Sequence, residues 1–170
     1  MQNTYLVCRH AEKTLQLIRV LQREVKVNEA AKFIVYFSTC AAVDYFYRVR
    51  HSTSDQAGVA SNDKVLSKLP ELSSFQLTSF HGDLPPKIRE TALSTFVSHP
   101  SSHLSPAVLM CTDVAARGVD FEDIDVVVQF DPPTDPKTFS HRAGRTARAG
   151  RKGKGVLLLG KGKEEDYVGA

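Results

Sequence analysis

The chain has no long hydrophobic run and few cysteines. None of its apolar stretches approaches the roughly 20 residues that span a bilayer, and residues 1–3 lack the basic and then apolar pattern that begins a secretory signal. We therefore expect a soluble intracellular protein that has no membrane partner. The three cysteines, Cys8, Cys40 and Cys111, lie in or at the ends of apolar runs. We expect buried free thiols rather than disulfides.

Metal-ligand spacing is also missing from the sequence. No two cysteines form a C-x-x-C motif, and the six histidines are not spaced as ligands of one ion. The sequence therefore predicts no metal site. The histidines are His10, His51, His81, His99, His103 and His141.

Acidic residues are absent from one segment near the carboxyl end. Residues 136–163 contain nine Lys or Arg and no Asp or Glu, although the net charge of the whole chain is only +3. Six of the ten glycines lie in the same segment, and glycine lets a backbone approach a ligand closely. We interpret the segment as a surface that binds a polyanion. A solvated basic helix face is the alternative interpretation.

Three arginines lie at three-residue intervals in this basic segment. If residues 136–149 form a helix, Arg142, Arg145 and Arg148 fall within one sector of about 120°. Their guanidinium groups would then point at one cluster of oxygens, and a triphosphate is the natural candidate.

Short apolar runs alternate with stretches of helical period along the chain. With 170 residues, of which 42% are hydrophobic, we expect one domain over residues 1–170, with a polar surface insertion at residues 50–74. The alternation predicts an α/β fold of three layers, in which a mostly parallel central sheet has helices on both faces. The predicted strands are residues 5–8, 33–37, 75–80, 107–111, 126–130 and 156–159, and the predicted helices are residues 12–24, 41–49, 87–97 and 136–149.

Ligands of such sheets bind outside the carboxyl ends of the strands. Thr39 follows one predicted strand and could cap a helix that accepts an anion. Gly82 follows another and permits close approach, while Arg89 lies one turn into the next helix. Thr112 or Asp113 could cap a short helix that ends at Gly118, which leaves the Asp120 carboxylate available to ribose hydroxyls. Ordinary capping and surface charge remain alternatives for each position.

Taken together, these segments resemble a known family. Residues 112–120 and 141–148 resemble motifs V and VI of DEAD-box RNA helicases, and residues 33–39 resemble motif IV. His81, Gly82 and Arg89 resemble the next block of that family. The chain is similar to the second, C-terminal RecA-like domain of these enzymes, a P-loop NTPase-like fold. Residues 131–133, residues 164–167 and the insertion suggest the nucleolar subgroup that assists assembly of the large ribosomal subunit.

The resemblance implies a role for each matched residue. Arg145 and Arg148 would be arginine fingers on the γ-phosphate of ATP, an effect that elsewhere is worth about 10³ to 10⁵ in rate. The nucleotide side would further include Gly118, Asp120 on the ribose, and His141 and Arg142 as couplers of the two domains. RNA backbone contacts would come from Thr39, Gly82, Arg89, Thr112 and Asp113, the last through its amide.

Some family features are absent or altered. Ala147 stands where motif VI usually has glycine, Ala143 replaces a larger aliphatic residue, and Pro86 replaces a glutamine. The chain has no G-x-x-x-x-G-K-[ST] loop and no Asp-Glu-Ala-Asp tetrapeptide to hold Mg²⁺. We therefore assign Mg²⁺ and primary ATP binding to an N-terminal domain outside this sequence, and expect the chain alone to be inactive.

The resemblance also sets the expected partners. They are the N-terminal RecA-like domain of the same protein, a ribosomal RNA precursor and ribosome-assembly factors, in the nucleus and nucleolus. Two alternatives stay open: a non-catalytic module that binds RNA or protein, and domain 2 of another superfamily 2 helicase.

Overall fold

The computed structural model describes residues 1–51, 72–113, 118–119, 121, 123–147 and 150–168. Within these residues the strands are β1 (Gln2–Cys8), β2 (Lys32–Tyr36), β3 (Gln76–Phe80), β4 (Ala107–Cys111), β5 (Val126–Gln129) and β6 (Lys154–Gly160). The α-helices are α1 (Lys13–Asn28), α2 (Cys40–His51), α3 (Pro86–Ser98) and α4 (Pro136–Ala143). Two 3-10 turns cover His10–Glu12 and Glu165–Val168.

The six strands form one sheet in the order β1-β6-β5-β2-β4-β3. Every pairing between neighbouring strands is parallel. The predicted α/β class is therefore confirmed, and the sheet of the described residues is wholly rather than mostly parallel. Such a sheet is covered on both faces, which explains why its strands read as continuous apolar runs.

Alternate residues of the strands pack against different helices. On one face, Phe33 and Val35 of β2 belong to a buried cluster with Leu17 of α1 and Val43 of α2. On the other face, Ile34 of β2 belongs to a second cluster with Phe96 of α3 and Leu109 of β4. The predicted three layers are thus confirmed. No helix in the described part of the chain is long and apolar enough to cross a membrane.

The predicted helix over residues 136–149 is too long. It begins as expected, because Asp135 accepts a hydrogen bond from the Thr138 amide at 2.8 Å and Pro136 occupies the first turn. It ends at Ala143, where Gly144 forms the C-cap. Arg145 therefore lies in a turn beyond the helix and does not share a helical face with Arg142. Arg148 lies outside the described residues.

The remaining boundaries differ by a few residues from the predictions. All three cysteines are free thiols as expected; Cys8 and Cys111 are buried and Cys40 is half-buried. The insertion predicted at residues 50–74 lies mostly outside the described residues, since residues 52–71 are not described.

Candidate functional site: the carboxyl edge of the sheet

Three adjacent strands carry the residues that the sequence assigned to RNA. β2, β4 and β3 are neighbours in that order, and Thr39, Thr112 and Gly82 follow their carboxyl ends within three residues. Because all three strands are parallel, the turns meet at one edge of the sheet. The fold therefore brings the predicted RNA-binding turns together.

Arg142 connects several of the strand ends at this edge through its side chain. Its side chain is only 3% exposed, and its Nε and Nη2 donate to the two carboxylate oxygens of Asp113 at 2.7 and 2.6 Å. Nη1 donates to the carbonyl of Asp131 at 2.8 Å and reaches Gln129 Oε1 at 3.5 Å. The guanidinium also lies 5.2 Å from the ring centroid of Tyr36. Arg142 thus joins the ends of β2, β4 and β5.

This network binds the Arg142 guanidinium within the domain. A guanidinium has five N–H donors, and here they make four hydrogen bonds within the protein. Most of the hydrogen-bonding capacity of Arg142 is thus used inside the domain, and its assignment to the nucleotide side as a coupler of the two domains stays a prediction. The Arg142 guanidinium also compensates the charge of the Asp113 carboxylate, which would otherwise repel a phosphate group.

Arg145 has a different environment. It is half-buried, its Nη1 donates to the carbonyl of Val119 at 2.5 Å, and its Nε has no hydrogen-bond partner. Within the described ranges no carboxylate forms an ion pair with it. Arg145 therefore keeps uncommitted donors, and no carboxylate of the described residues compensates its positive charge.

The turn that carries Arg145 is fixed by its neighbours. The buried Thr146 hydroxyl donates to the carbonyl of Ile124 at 2.5 Å and lies 3.1 Å from that of Asp125. A Cβ on Gly153 would collide with this hydroxyl and with the backbone of Ala147, so only glycine allows the approach. Ala147 itself has a φ of 59°, which is the left-handed conformation that glycine adopts more readily.

The other residues assigned to the nucleotide are only partly described. Gly118 is exposed with a φ of 75°, and the short helix predicted before it lies mostly outside the described residues. His141 is exposed in the last turn of α4. Asp120, the predicted ribose contact, lies outside the described residues together with Arg148.

The residues predicted to contact RNA differ in their exposure and in their hydrogen bonds. The exposed Thr39 accepts a hydrogen bond from the Ala42 amide at 3.1 Å, so it caps α2 as predicted. Gly82 is exposed, and a Cβ there would meet no atom within 4 Å. Arg89 is half-buried on α3. Thr112 is buried, and its hydroxyl has no hydrogen-bond partner.

Two weak acids near Arg142 stay uncharged at neutral pH. Burial raises the pKa of the Tyr36 phenol and of the Cys111 thiol far above their usual values. Neither group can then supply negative charge to the edge. Close to Arg142, the charged side chains are therefore Asp113, which pairs with it, and Arg145, which has no acidic partner among the described residues.

Sequence reasoning missed the contribution of Lys13. This lysine is 6% exposed, and its Nζ lies 3.1 Å from Glu164 Oε2 and 3.7 Å from Asp131 Oδ1. The second Asp131 oxygen accepts the Ser38 amide at 2.9 Å. Lys13 and Asp131 therefore tie the ends of β2 and β5 to the last turn of the chain. The turn at residues 131–133 was predicted from the sequence, but the ion pair between its Asp131 and the distant Lys13 was not.

Comparison with known proteins identifies the domain. Residues 12–150 match the family model described as the helicase conserved C-terminal domain. The chain belongs to this family.

Individual relatives agree with that assignment. The chain is 75% identical over 169 residues to an ATP-dependent rRNA helicase SPB4 of Cryptococcus neoformans, covering 99% of this chain. It spans only 20% of that relative's length.

Solved structures share the fold. Domain 2 of the DEAD-box helicase Mss116p, bound to an RNA duplex, has a TM-score of 0.68 at 22% identity, over 94% of this chain and 54% of that chain. Dbp5 of S. cerevisiae, bound to RNA and ADP BeF3, has a TM-score of 0.69 at 24% identity, over 99% of this chain and 37% of that chain. The predicted resemblance to RecA-like domain 2 of DEAD-box proteins is confirmed for the domain family and the fold.

Proposed function

We propose that this chain is the C-terminal RecA-like domain of an ATP-dependent DEAD-box RNA helicase. In the full-length protein, an N-terminal domain holds ATP and Mg²⁺, and this domain closes on the phosphates and on RNA. The relative that is 75% identical carries the name of an ATP-dependent rRNA helicase. This supports ribosomal RNA precursors as substrate, with rRNA processing and assembly of the large subunit in the nucleolus as the setting and ribosome-assembly factors as partners.

The observation that carries the proposal is the contrast between two arginines. Arg142 is buried and its charge is compensated by Asp113, whereas Arg145 has an unpartnered Nε and no acidic partner in the described part of the chain. A guanidinium with spare donors can bind phosphate oxygens in a fixed, planar geometry. We therefore assign charge neutralisation at the γ-phosphate to Arg145, with Arg148 as its expected companion.

RNA would bind along the turns after β2, β4 and β3. The turn after β2 offers the Thr39 hydroxyl, and the turn after β3 offers the open backbone of Gly82. Arg89 adds a cation from α3. The amides of Thr112 and Asp113 follow β4, which lies between β2 and β3 in the sheet. Groups of this kind contact phosphate and sugar rather than bases. Binding is then independent of sequence and weakens as salt increases.

The test is the RNA-stimulated ATPase activity of the full-length protein carrying Arg145→Ala or Arg145→Lys. We expect both variants to lose about 10³-fold or more in turnover, because lysine lacks the planar fork, while RNA affinity stays within about twofold. Arg151→Ala is the matched control. Arg151 is 51% exposed and pairs with Asp123 on the surface, so its removal should leave turnover unchanged.

Normal ATPase activity in Arg145→Ala would refute the finger assignment. A full-length protein that binds RNA but never hydrolyses ATP would instead establish the non-catalytic binding module. The isolated chain should show no ATPase activity, since ATP is held by the other domain.

A further inference from the structure

The fold gathers three ligand-type side chains where β2 and β3 end. Cys40 begins α2, His81 directly follows β3, and Asp83 lies in the turn before α3. One ligand atom from each, a sulfur, an imidazole nitrogen and a carboxylate oxygen, lies within 4.8 Å of the other two. Cys40 and His81 lie in separate segments of the chain, 41 residues apart, so their spacing in the sequence gave no sign of the cluster.

His81 gives the cluster a buried ring nitrogen that has no partner within the protein. Its side chain is 1% exposed, and its Nε2 lies 3.0 Å from Asp44 Oδ1. The other ring nitrogen, Nδ1, is buried and has no hydrogen-bond partner. With Nε2 donating its hydrogen to the Asp44 carboxylate, Nδ1 carries the lone pair, as in the carboxylate–histidine–metal arrangement of many metalloproteins. A buried polar atom without a partner is costly, and a metal ion would satisfy it.

The donor set favours one class of ion. Thiolate, imidazole and carboxylate together suit Zn²⁺, whereas Mg²⁺ and Ca²⁺ take oxygen ligands. Metal–ligand bonds of 2.0–2.3 Å in tetrahedral geometry place ligand atoms about 3.5 Å apart. The observed upper limit of 4.8 Å is close enough for small side-chain rotations to complete the site. Asp83 is exposed and Cys40 is half-buried, so an ion can enter from solvent.

We propose that Cys40, His81 and Asp83 form an open three-ligand site for Zn²⁺, with Asp44 holding the imidazole in place. Three protein ligands leave the fourth position to water or to an added ligand. The site lies beside the turns of Thr39 and Gly82, but the proposal does not depend on the function assigned to those residues.

The experiment is a titration of the 170-residue chain with Co²⁺ as a spectroscopic probe, followed by displacement with Zn²⁺. We expect one equivalent to bind, with intense visible bands of tetrahedral cobalt and a near-ultraviolet band from thiolate to cobalt. Cys40→Ser should abolish the thiolate band. Asp83→Asn and Asp44→Asn should each weaken Zn²⁺ binding by about tenfold or more. His103→Ala, which removes an exposed histidine elsewhere, should bind Zn²⁺ as the unmodified chain does.

Alkylation of the native chain gives an independent measurement. Zn²⁺ should slow the alkylation of Cys40, identified by mass spectrometry, and this readout does not require any variant to fold. The proposal is overturned if Co²⁺ gives only the weak spectrum of the hydrated ion, if Cys40→Ser and Asp83→Asn bind Zn²⁺ with undiminished affinity, or if His103→Ala removes the binding.

Discussion

Asp113 and Arg142, 29 residues apart in the chain, form a two-pronged ion pair across the carboxyl edge of the sheet. The pair is asymmetric, because the carboxylate is 29% exposed and the guanidinium only 3%. Removing the acid therefore leaves a nearly buried cation without its counter-charge.

Asp113→Asn should lower the free energy of unfolding by about 2–4 kcal/mol, since an uncompensated buried charge is strongly unfavourable. Asp123→Asn removes the acid of an exposed pair with Arg151, in which the side chains are 60% and 51% exposed, and should change stability by less than about 1 kcal/mol. Urea unfolding followed by circular dichroism measures both values. Equal losses in the two variants would show that Arg142 does not depend on Asp113.

Ala147→Gly should stabilise the domain. Alanine at a φ of 59° is strained by about 1–2 kcal/mol, and part of the gain is offset by the extra freedom of glycine in the unfolded chain. The expected net gain of about 0.5–1 kcal/mol raises Tm by roughly 1–4 °C. Ala143→Gly in α4 is the control, because a buried helical alanine should lose about 1 kcal/mol on the same change. A lower Tm for Ala147→Gly would mean that the left-handed turn is not strained.

Stability at acidic pH should depend on Glu164. Burial raises the pKa of this carboxyl, but the hydrogen bond from the Gly160 amide at 2.6 Å and the ion pair with Lys13 lower it by more, so the net pKa is below its usual 4.5. A carboxyl with a depressed pKa stabilises the fold above its unfolded-state pKa, and this stabilisation is lost as pH falls through the folded-state pKa.

Glu164→Gln should therefore be less stable than the unmodified chain at neutral pH, and the difference should shrink between about pH 5 and pH 3. Tm measured across this range by differential scanning calorimetry tests it. Glu165→Gln, at an exposed neighbouring position, controls for the change in net charge. A difference in Tm that stays constant with pH would contradict the assigned role of Glu164.

Much of the fold was readable from local patterns. Strands such as residues 107–111 are buried along their whole length, so a continuous apolar run marks them directly. Capping residues such as Thr39 also act on near neighbours, and this cap was predicted correctly. The end of α4 was missed because the charge pattern continues past Gly144, although the backbone leaves the helix there.

The charge states and hydrogen-bond partners at the carboxyl edge of the sheet depend on contacts between residues that are distant in the sequence. The sequence around Arg142 does not show that the Asp113 carboxylate compensates its charge. Likewise, the buried Lys13 ammonium donates to Glu164, which is 151 residues away in the sequence. His81 and Cys40 likewise come close because each follows the carboxyl end of a strand in the same parallel sheet, a relationship that their local sequences do not show. Residue types could therefore be assigned to the edge, while their charge states and partners required the folded structure.

Because β1 pairs with β6, the sheet of this domain cannot be completed until β6 has been synthesised. The two strands align from Gln2 with Lys154 to Cys8 with Gly160, and the hydroxyl of Thr4 reaches the carbonyl of Gly155, 151 residues further on. A ribosome that adds 5–20 residues per second leaves β1 without its partner for roughly 8–30 s. During that interval an unpaired strand is exposed to pairing with other nascent chains, so β1 is synthesised before the other five strands of this sheet but is among the last of them to be protected.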